Sequence, residues 1–192
     1  ETVGLISYMR TDSMTLSKDV VQQIREYIKG NYDSGYLPKI AIGYKTKAKN
    51  AQEAHEAIRP TDISRSPTSL KKYLSDEQFK LYEMIWQRTL SCQMTPAIFD
   101  AVSVDLEIGK GESIFRASGQ TLKFPGFMSV YMEDEDESAG EKENSSTLPP
   151  LEVGEILNIE KINGDQHFTE PPPRYSEASL VKTLEEYGIG RP

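Results

Sequence analysis

The chain has 192 residues, 37% of them hydrophobic and 27% charged, with 13 glycines and a formal net charge of −8. That length allows one or two domains with a sizeable core. No apolar run approaches the roughly 18 residues of a membrane span, and no basic-then-apolar leader opens the chain.

The single cysteine, Cys92, excludes an internal disulfide and points to a reducing, cytoplasmic setting with a buried thiol. The acidity argues at first against a nucleic-acid partner, but it is unevenly spread. Residues 1–60 hold nine basic and seven acidic side chains, residues 61–132 hold eight of each, and residues 133–192 hold five basic and fifteen acidic. Seven of those acids fall between Glu133 and Glu143. The run 133–147 has no periodicity and no apolar anchor, so it reads as a solvated loop.

In chain order, residues 3–9 (Val-Gly-Leu-Ile-Ser-Tyr-Met) have strand character and lead into a polar segment, 10–13. Val20, Val21, Ile24, Tyr27 and Ile28 then recur at helical spacing, with Ser17 as the N-cap. Residues 30–52 read as loop, punctuated by Asn31, Asp33, Gly35, Pro38 and Gly43. Within it, Lys45, Lys47 and Lys49 fit either a solvated edge or phosphate contacts. Residues 51–59 are good helix formers that stop at Pro60. Ser75-Asp-Glu-Gln78 is a capping-box pattern. It opens a helix whose stripe of Phe79, Tyr82, Ile85 or Trp86, Thr89 and Cys92 faces a core, and Pro96 closes the element.

The texture then changes. Residues 97–108 alternate, and strand-like pieces follow at 113–118, 121–124, 127–132 and 155–162, separated by glycine turns. Pro171–Pro173 stiffen a connector. Ser176 caps a last helix with Ala178, Val181, Leu184 and Tyr187 inward and Gly188 at its stop. The expected class is α+β: a mainly helical region, then a mostly antiparallel β-rich segment interrupted by the acidic loop, then a short helical start. Both chain ends read as those of a piece of a longer protein.

Chemistry gathers first at Ser7-Tyr-Met-Arg-Thr-Asp-Ser13. In an extended chain, period two puts Tyr8, Arg10 and Asp12 on one face. A guanidinium beside a phenol favours the phenolate and can bind a phosphate oxygen in bidentate fashion. It also stabilises charge that builds on non-bridging oxygens during attack at phosphorus, and a carboxylate can hold it in place. The same spacing also fits a structural tyrosine before a charged turn. His55 lies between Glu53 and Glu56 with Arg59 at i+4. It can donate to a phosphate or simply pair with glutamate on a helix surface. Two histidines and one cysteine make no metal cluster, and the carboxylates outside the acidic loop lack Asp-x-Asp spacing. No phosphate-binding glycine loop is present.

Three segments carry a resemblance. Gly4-Leu-Ile-Ser-Tyr-Met-Arg-Thr-Asp-Ser13 closely resembles the active-site signature of bacterial type IA DNA topoisomerases. Ala51-Gln-Glu-Ala-His-Glu-Ala-Ile-Arg-Pro60 resembles a second signature. Gln166-His-Phe-Thr-Glu-Pro-Pro, Arg174-Tyr-Ser-Glu-Ala-Ser-Leu-Val-Lys182 and Gly188-Ile-Gly-Arg-Pro192 together resemble a third. Order and spacing fit as well, so the resemblance spans essentially the whole chain.

The resemblance implies a catalytic pair, with Tyr8 as the nucleophile that becomes a 5′-phosphotyrosine and Arg10 positioning it and stabilising the transition state. It makes Asp12 a supporting residue and places Arg10, Thr11, Ser13, His55, Arg59 and Arg191 at the DNA. It implies relaxation of negatively supercoiled DNA without ATP, by cleavage of one strand, strand passage and religation. It implies Mg²⁺ held by a Toprim domain that this chain lacks, so the chain alone would be inactive and bind no metal. The partners implied are a single-stranded DNA region and the remaining domains of the same polypeptide, with no membrane, in a monomer associated with the bacterial nucleoid. Residues 1–95 would form the tyrosine-bearing gate domain, 96–165 a β-rich arch or hinge, and 166–192 the start of a single-strand-binding domain. Two rivals are a non-catalytic DNA-binding module on the same scaffold, which a trapped-adduct experiment would separate, and the topoisomerase module of a reverse gyrase, which an upstream helicase domain would reveal.

Overall fold

A computed structural model describes residues 4–11, 13–44, 56–109, 113–132, 148–169 and 171–189. They fall into two units, one holding the described residues up to Met132 together with Leu148, the other those from Pro149 onward.

The first unit is built on two helices. Helix α1, Lys18–Asn31, begins where the Ser17 hydroxyl accepts the Val20 amide and ends at Tyr32, in extended conformation. Helix α3, Asp76–Ser91, begins at a full capping box between Ser75 and Gln78, so two otherwise orphaned amides are satisfied reciprocally. Between them the described residues form a single-turn helix, α2, Pro67–Leu70, started by Pro67 at its first turn, and two 3-10 turns, Ser34–Tyr36 and Lys71–Tyr73. The expected stripes meet. Ile24 and Ile28 of α1 and Tyr82, Trp86 and Leu90 of α3 are buried with Ile63 and Met94. The Trp86 ring meets Tyr27 edge-on at 5.6 Å, and its indole N–H donates to the Ile63 carbonyl at 2.9 Å. The buried polar ends of Trp86 and Tyr82 are thus satisfied, Tyr82 by the Arg65 carbonyl.

Gln93 was not singled out by the sequence, yet it is fully buried. Its amide donates to the Ile42 carbonyl and accepts the Ile42 N–H. That is a two-way backbone-like pairing which ties the loop after α1 to the end of α3. Cys92 is half-buried rather than buried, and burial pushes its thiol pKa up, only partly offset by Gln93 and Arg88.

The β-rich segment is narrower than expected. Strands β1, Ile98–Ile108, and β2, Ser113–Phe124, form a two-stranded antiparallel hairpin. The pieces at 113–118 and 121–124 are one strand, because Gly119 pairs opposite Val102 without interrupting the ladder. Residues 127–132 are not a strand. After Pro125 the chain turns at Gly126, which has φ +50°, into a 3-10 turn over Gly126–Ser129. A Cβ at Gly126 would lie 2.4 Å from the Thr95 and Pro96 carbonyl oxygens, so only glycine passes here. The close approach lets the Phe127 amide donate to the Thr95 carbonyl and brings Phe127 and Val130 onto the helical core.

In the second unit residues 155–162 also form no strand. Helix α4, Glu177–Glu186, is capped by Ser176 as expected, with a Ser176–Ser179 capping box. It ends at Gly188 with φ +67°. Its expected inward face is not covered within the unit: Val181 and Tyr187 are 57% and 76% exposed. No described helix is long and apolar enough to cross a membrane.

Candidate functional site

The tyrosine segment is extended but is not a strand of a sheet. Ile6 and Pro60 form an isolated antiparallel bridge. Around it the Ser7 amide donates to the Arg59 carbonyl at 2.8 Å, and the Thr61 amide to the Leu5 carbonyl at 3.0 Å. Two side chains extend this zipper. The Ser7 hydroxyl donates to the Ala57 carbonyl and accepts the Arg59 N–H, and the Thr61 hydroxyl donates to the Gly4 carbonyl. Leu5 and Ile6 pack against the helical core. The first and second signature segments are therefore neighbours in space, although some fifty residues separate them in sequence.

This pairing overturns the expected helix over its described part, residues 56–59, which are not helical. The backbone donors go elsewhere: the Ala57 N–H to the Thr15 carbonyl and the Arg59 N–H to Ser7. A residue before proline is also biased toward extended conformation, as Arg59 is by Pro60. Residues 51–55, with His55, lie outside the described residues, as do Asp12, Arg191, the three lysines 45, 47 and 49, and the acidic loop.

Tyr8 follows the zipper directly and is 64% exposed, and Met9 is 65% exposed. The chain bends at residues 9 and 10, so the extended conformation assumed for this motif does not continue from Tyr8 through Arg10. Arg10 is exposed. Thr11 and Ser13 are half-buried, and their hydroxyls accept the Ser13 and Thr15 amides respectively, shaping the turn into α1.

Arg59 is only 15% exposed at its side chain, less than the exposed Arg10. Its Nε and Nη2 both donate to Glu56 Oε2, at 3.0 and 2.7 Å, and its Nη1 donates to the Pro60 carbonyl. The other Glu56 oxygen accepts the Ser17 N–H at 3.0 Å. Burial alone would raise the Glu56 carboxyl, but these hydrogen bonds from Arg59 and Ser17 outweigh it, and the pKa lies below the usual glutamate value. Glu56 and Ser7 are the residues the sequence reading missed. Their signal was present only as positions inside the two signature segments. Beside the site a cavity of about 500 Å³ is lined by Ser13, Met14, Ala57, Ile58, Arg88 and Cys92 among others. Among the described residues no three His, Cys, Asp or Glu side chains gather that could hold a metal ion.

The DNA topoisomerase family model matches residues 1–192. The chain is 54% identical over its whole length to the DNA topoisomerase 1 of Rickettsia felis and 52% identical to that of Xylella fastidiosa. It covers 24% and 23% of those proteins, so it spans about a quarter of the length of the curated relatives it matches. Among solved structures, full-length topoisomerase I from Thermotoga maritima matches 98% of this chain and 28% of its own, with a TM-score of 0.76 at 31% identity. The chain belongs to the bacterial type IA DNA topoisomerase family.

Proposed function

We propose that this chain supplies the nucleophile and part of the moving gate of an enzyme that relaxes negatively supercoiled DNA. The observation that carries the reading is the placement of Tyr8. It is an exposed phenol on an extended segment pinned to the second signature, two residues before an exposed arginine. Exposure leaves Tyr8 accessible to a strand that arrives from outside this unit, while the zipper through Ser7 limits how far its backbone can wander.

In the proposed reaction Tyr8 Oη loses its proton and attacks the phosphorus of one strand. A tyrosyl–phosphorus bond forms, the bond from phosphorus to O3′ breaks, and O3′ leaves as a hydroxyl after taking up a proton. The 5′-phosphate stays on Tyr8. Arg10 neutralises charge on the non-bridging oxygens, where a fixed cation is worth most. Asp12 orients it, and His55, Thr11, Ser13 and Arg191 contact the strand. Attack by the 3′-hydroxyl on the phosphotyrosine reverses the step, so the phosphodiester's energy is conserved and no ATP is consumed.

Mg²⁺ and the Toprim domain proposed to hold it belong to the remaining parts of the polypeptide, and no step above is routed through the metal. The same reading makes residues 1–95 the gate, 96–165 part of an arch and 166–192 the start of a single-strand-binding domain, in a cytoplasmic, nucleoid-associated monomer. The 192 residues alone are expected to relax no DNA.

The test is Tyr8→Phe in the full-length polypeptide that carries these residues. Covalent capture of a single-stranded oligonucleotide should vanish with the melting temperature little changed, because the Tyr8 side chain lies largely outside the packed core. Adducts that persist in Tyr8→Phe would sink the assignment. Absence of adducts from the unmutated protein would favour the non-catalytic module.

A further inference from the structure

We propose that Glu56 and Arg59 form a positioning clamp, acting through Ser7, that sets the backbone of Tyr8, and that Arg59 serves this clamp rather than a DNA phosphate. The proposal rests on the reading of Tyr8 as the nucleophile.

The argument begins at the start of α1. In α3 and α4 the amide of the capping serine is satisfied from within the helix, by Gln78 and Ser179 respectively. In α1 the equivalent third position is Val20, whose side chain accepts nothing. The Ser17 amide is instead taken by Glu56, 39 residues away. A carboxylate at a helix N-terminus also complements the helix dipole. Glu56 thereby roots the second signature on α1 with one oxygen and holds Arg59 with the other.

Arg59 then carries the constraint to the tyrosine. Its guanidinium donates from all three nitrogens to protein acceptors, Glu56 Oε2 and the Pro60 carbonyl. Its backbone N–H donates to the Ser7 hydroxyl, and its carbonyl accepts the Ser7 amide. Ser7 is therefore gripped through both its backbone and its side chain, and the next residue is Tyr8. A phosphate reaching the Arg59 guanidinium would have to compete with a carboxylate already at 2.7 Å on a side chain that is only 15% exposed. Arg10, by contrast, is exposed. Two arginines of the signatures thus divide the work, one facing solvent and one turned into the fold.

The experiment uses the full-length polypeptide that carries these residues. Glu56→Ala, Glu56→Gln, Arg59→Ala and the Glu56→Ala/Arg59→Ala double variant are compared for covalent adduct formation at saturating single-stranded oligonucleotide. The dissociation constant is measured for each in a Tyr8→Phe background over a range of salt. A clamp predicts that Glu56→Ala and Arg59→Ala each slow adduct formation on the order of tenfold or more, since small misplacement of a reacting group is costly. The dissociation constant should stay within about twofold with its salt dependence unchanged. The double variant should be no slower than the worse single one, because the two residues act as one unit. Glu56→Gln, which keeps an acceptor for Ser17, should fall between Glu56→Ala and the unmutated protein, and it serves if Glu56→Ala does not fold.

Two results overturn the clamp. One is Arg59→Ala weakening binding and lowering the salt slope by about one, the mark of a phosphate contact, with Glu56→Ala leaving the rate intact. The other is loss of thermal stability with an unchanged rate in the folded protein, which would make the pair merely structural. If the unmutated protein forms no adduct, the nucleophile reading itself fails and the clamp with it. If it forms adducts that Glu56→Ala leaves unslowed, only the clamp fails.

Discussion

The helical region and the hairpin belong to the same unit and both carry regular apolar patterns, yet they use them differently. The stripes of α1 and α3 meet, and Ile24, Ile28 and Leu90 are wholly excluded from solvent. The middle of the hairpin alternates as well. Val102, Val104, Leu106 and Ile108 share one face with Phe115 and Ala117, while Ser103 and Asp105 share the other with Ser118 and Arg116. Even so, Val102 and Phe115 are 51% and 53% exposed. What orders the hairpin is the backbone ladder with cross-strand pairs, notably the two-point Arg116–Asp105 contact at 2.7 and 2.9 Å and the Ser103–Ser118 hydroxyl pair. What orders the helices is burial. The tyrosine segment sits on the burial-driven part, because Leu5 and Ile6 pack on that core.

Mutations can sharpen or break this contrast. Trp86→Ala should cost most, about 3–5 kcal/mol, because it empties a large buried volume and orphans the Ile63 carbonyl. Urea denaturation measures it, and a loss under about 1 kcal/mol would deny the helical core its role. Gln93→Ala should cost about 1–3 kcal/mol, since the Ile42 N–H and carbonyl both lose their partner. Greater protease sensitivity near residue 42 would accompany it. Val102→Thr on the open hairpin face should lie within about 0.5 kcal/mol of the parent. A cost there as large as that of Trp86→Ala would mean that the hairpin face is covered in solution.

Local signals were legible wherever a residue and its neighbours sufficed. Ser17, Ser75 and Ser176 each cap the helix expected of them, because a hydroxyl three residues before a free amide needs nothing distant. The signature holding Tyr8 and Arg10 stood out in the same way, whereas the exposure of Tyr8 is known only from the structure. The failures share one cause. Residues 56–59 have helix-forming composition but spend their hydrogen bonds on Ser7 and Thr15, partners that composition does not reveal. Residues 127–132 have strand composition but follow Gly126, whose left-handed turn presses the chain against the Thr95 and Pro96 carbonyls.

The amino-acid sequence by itself determined the family, the caps, the two principal helices and the hairpin's alternation, because these depend on periodicity and on short-range hydrogen bonding. Only the tertiary structure decided that the two signatures lie side by side, that Glu56 completes the start of α1 in place of Val20, and that Arg59 turns inward while Tyr8 and Arg10 face out. The reason is physical. A half-buried carboxylate–guanidinium pair and an unmatched helix amide are satisfied by whichever groups the fold brings near, and that proximity is not written in the spacing of the residues themselves.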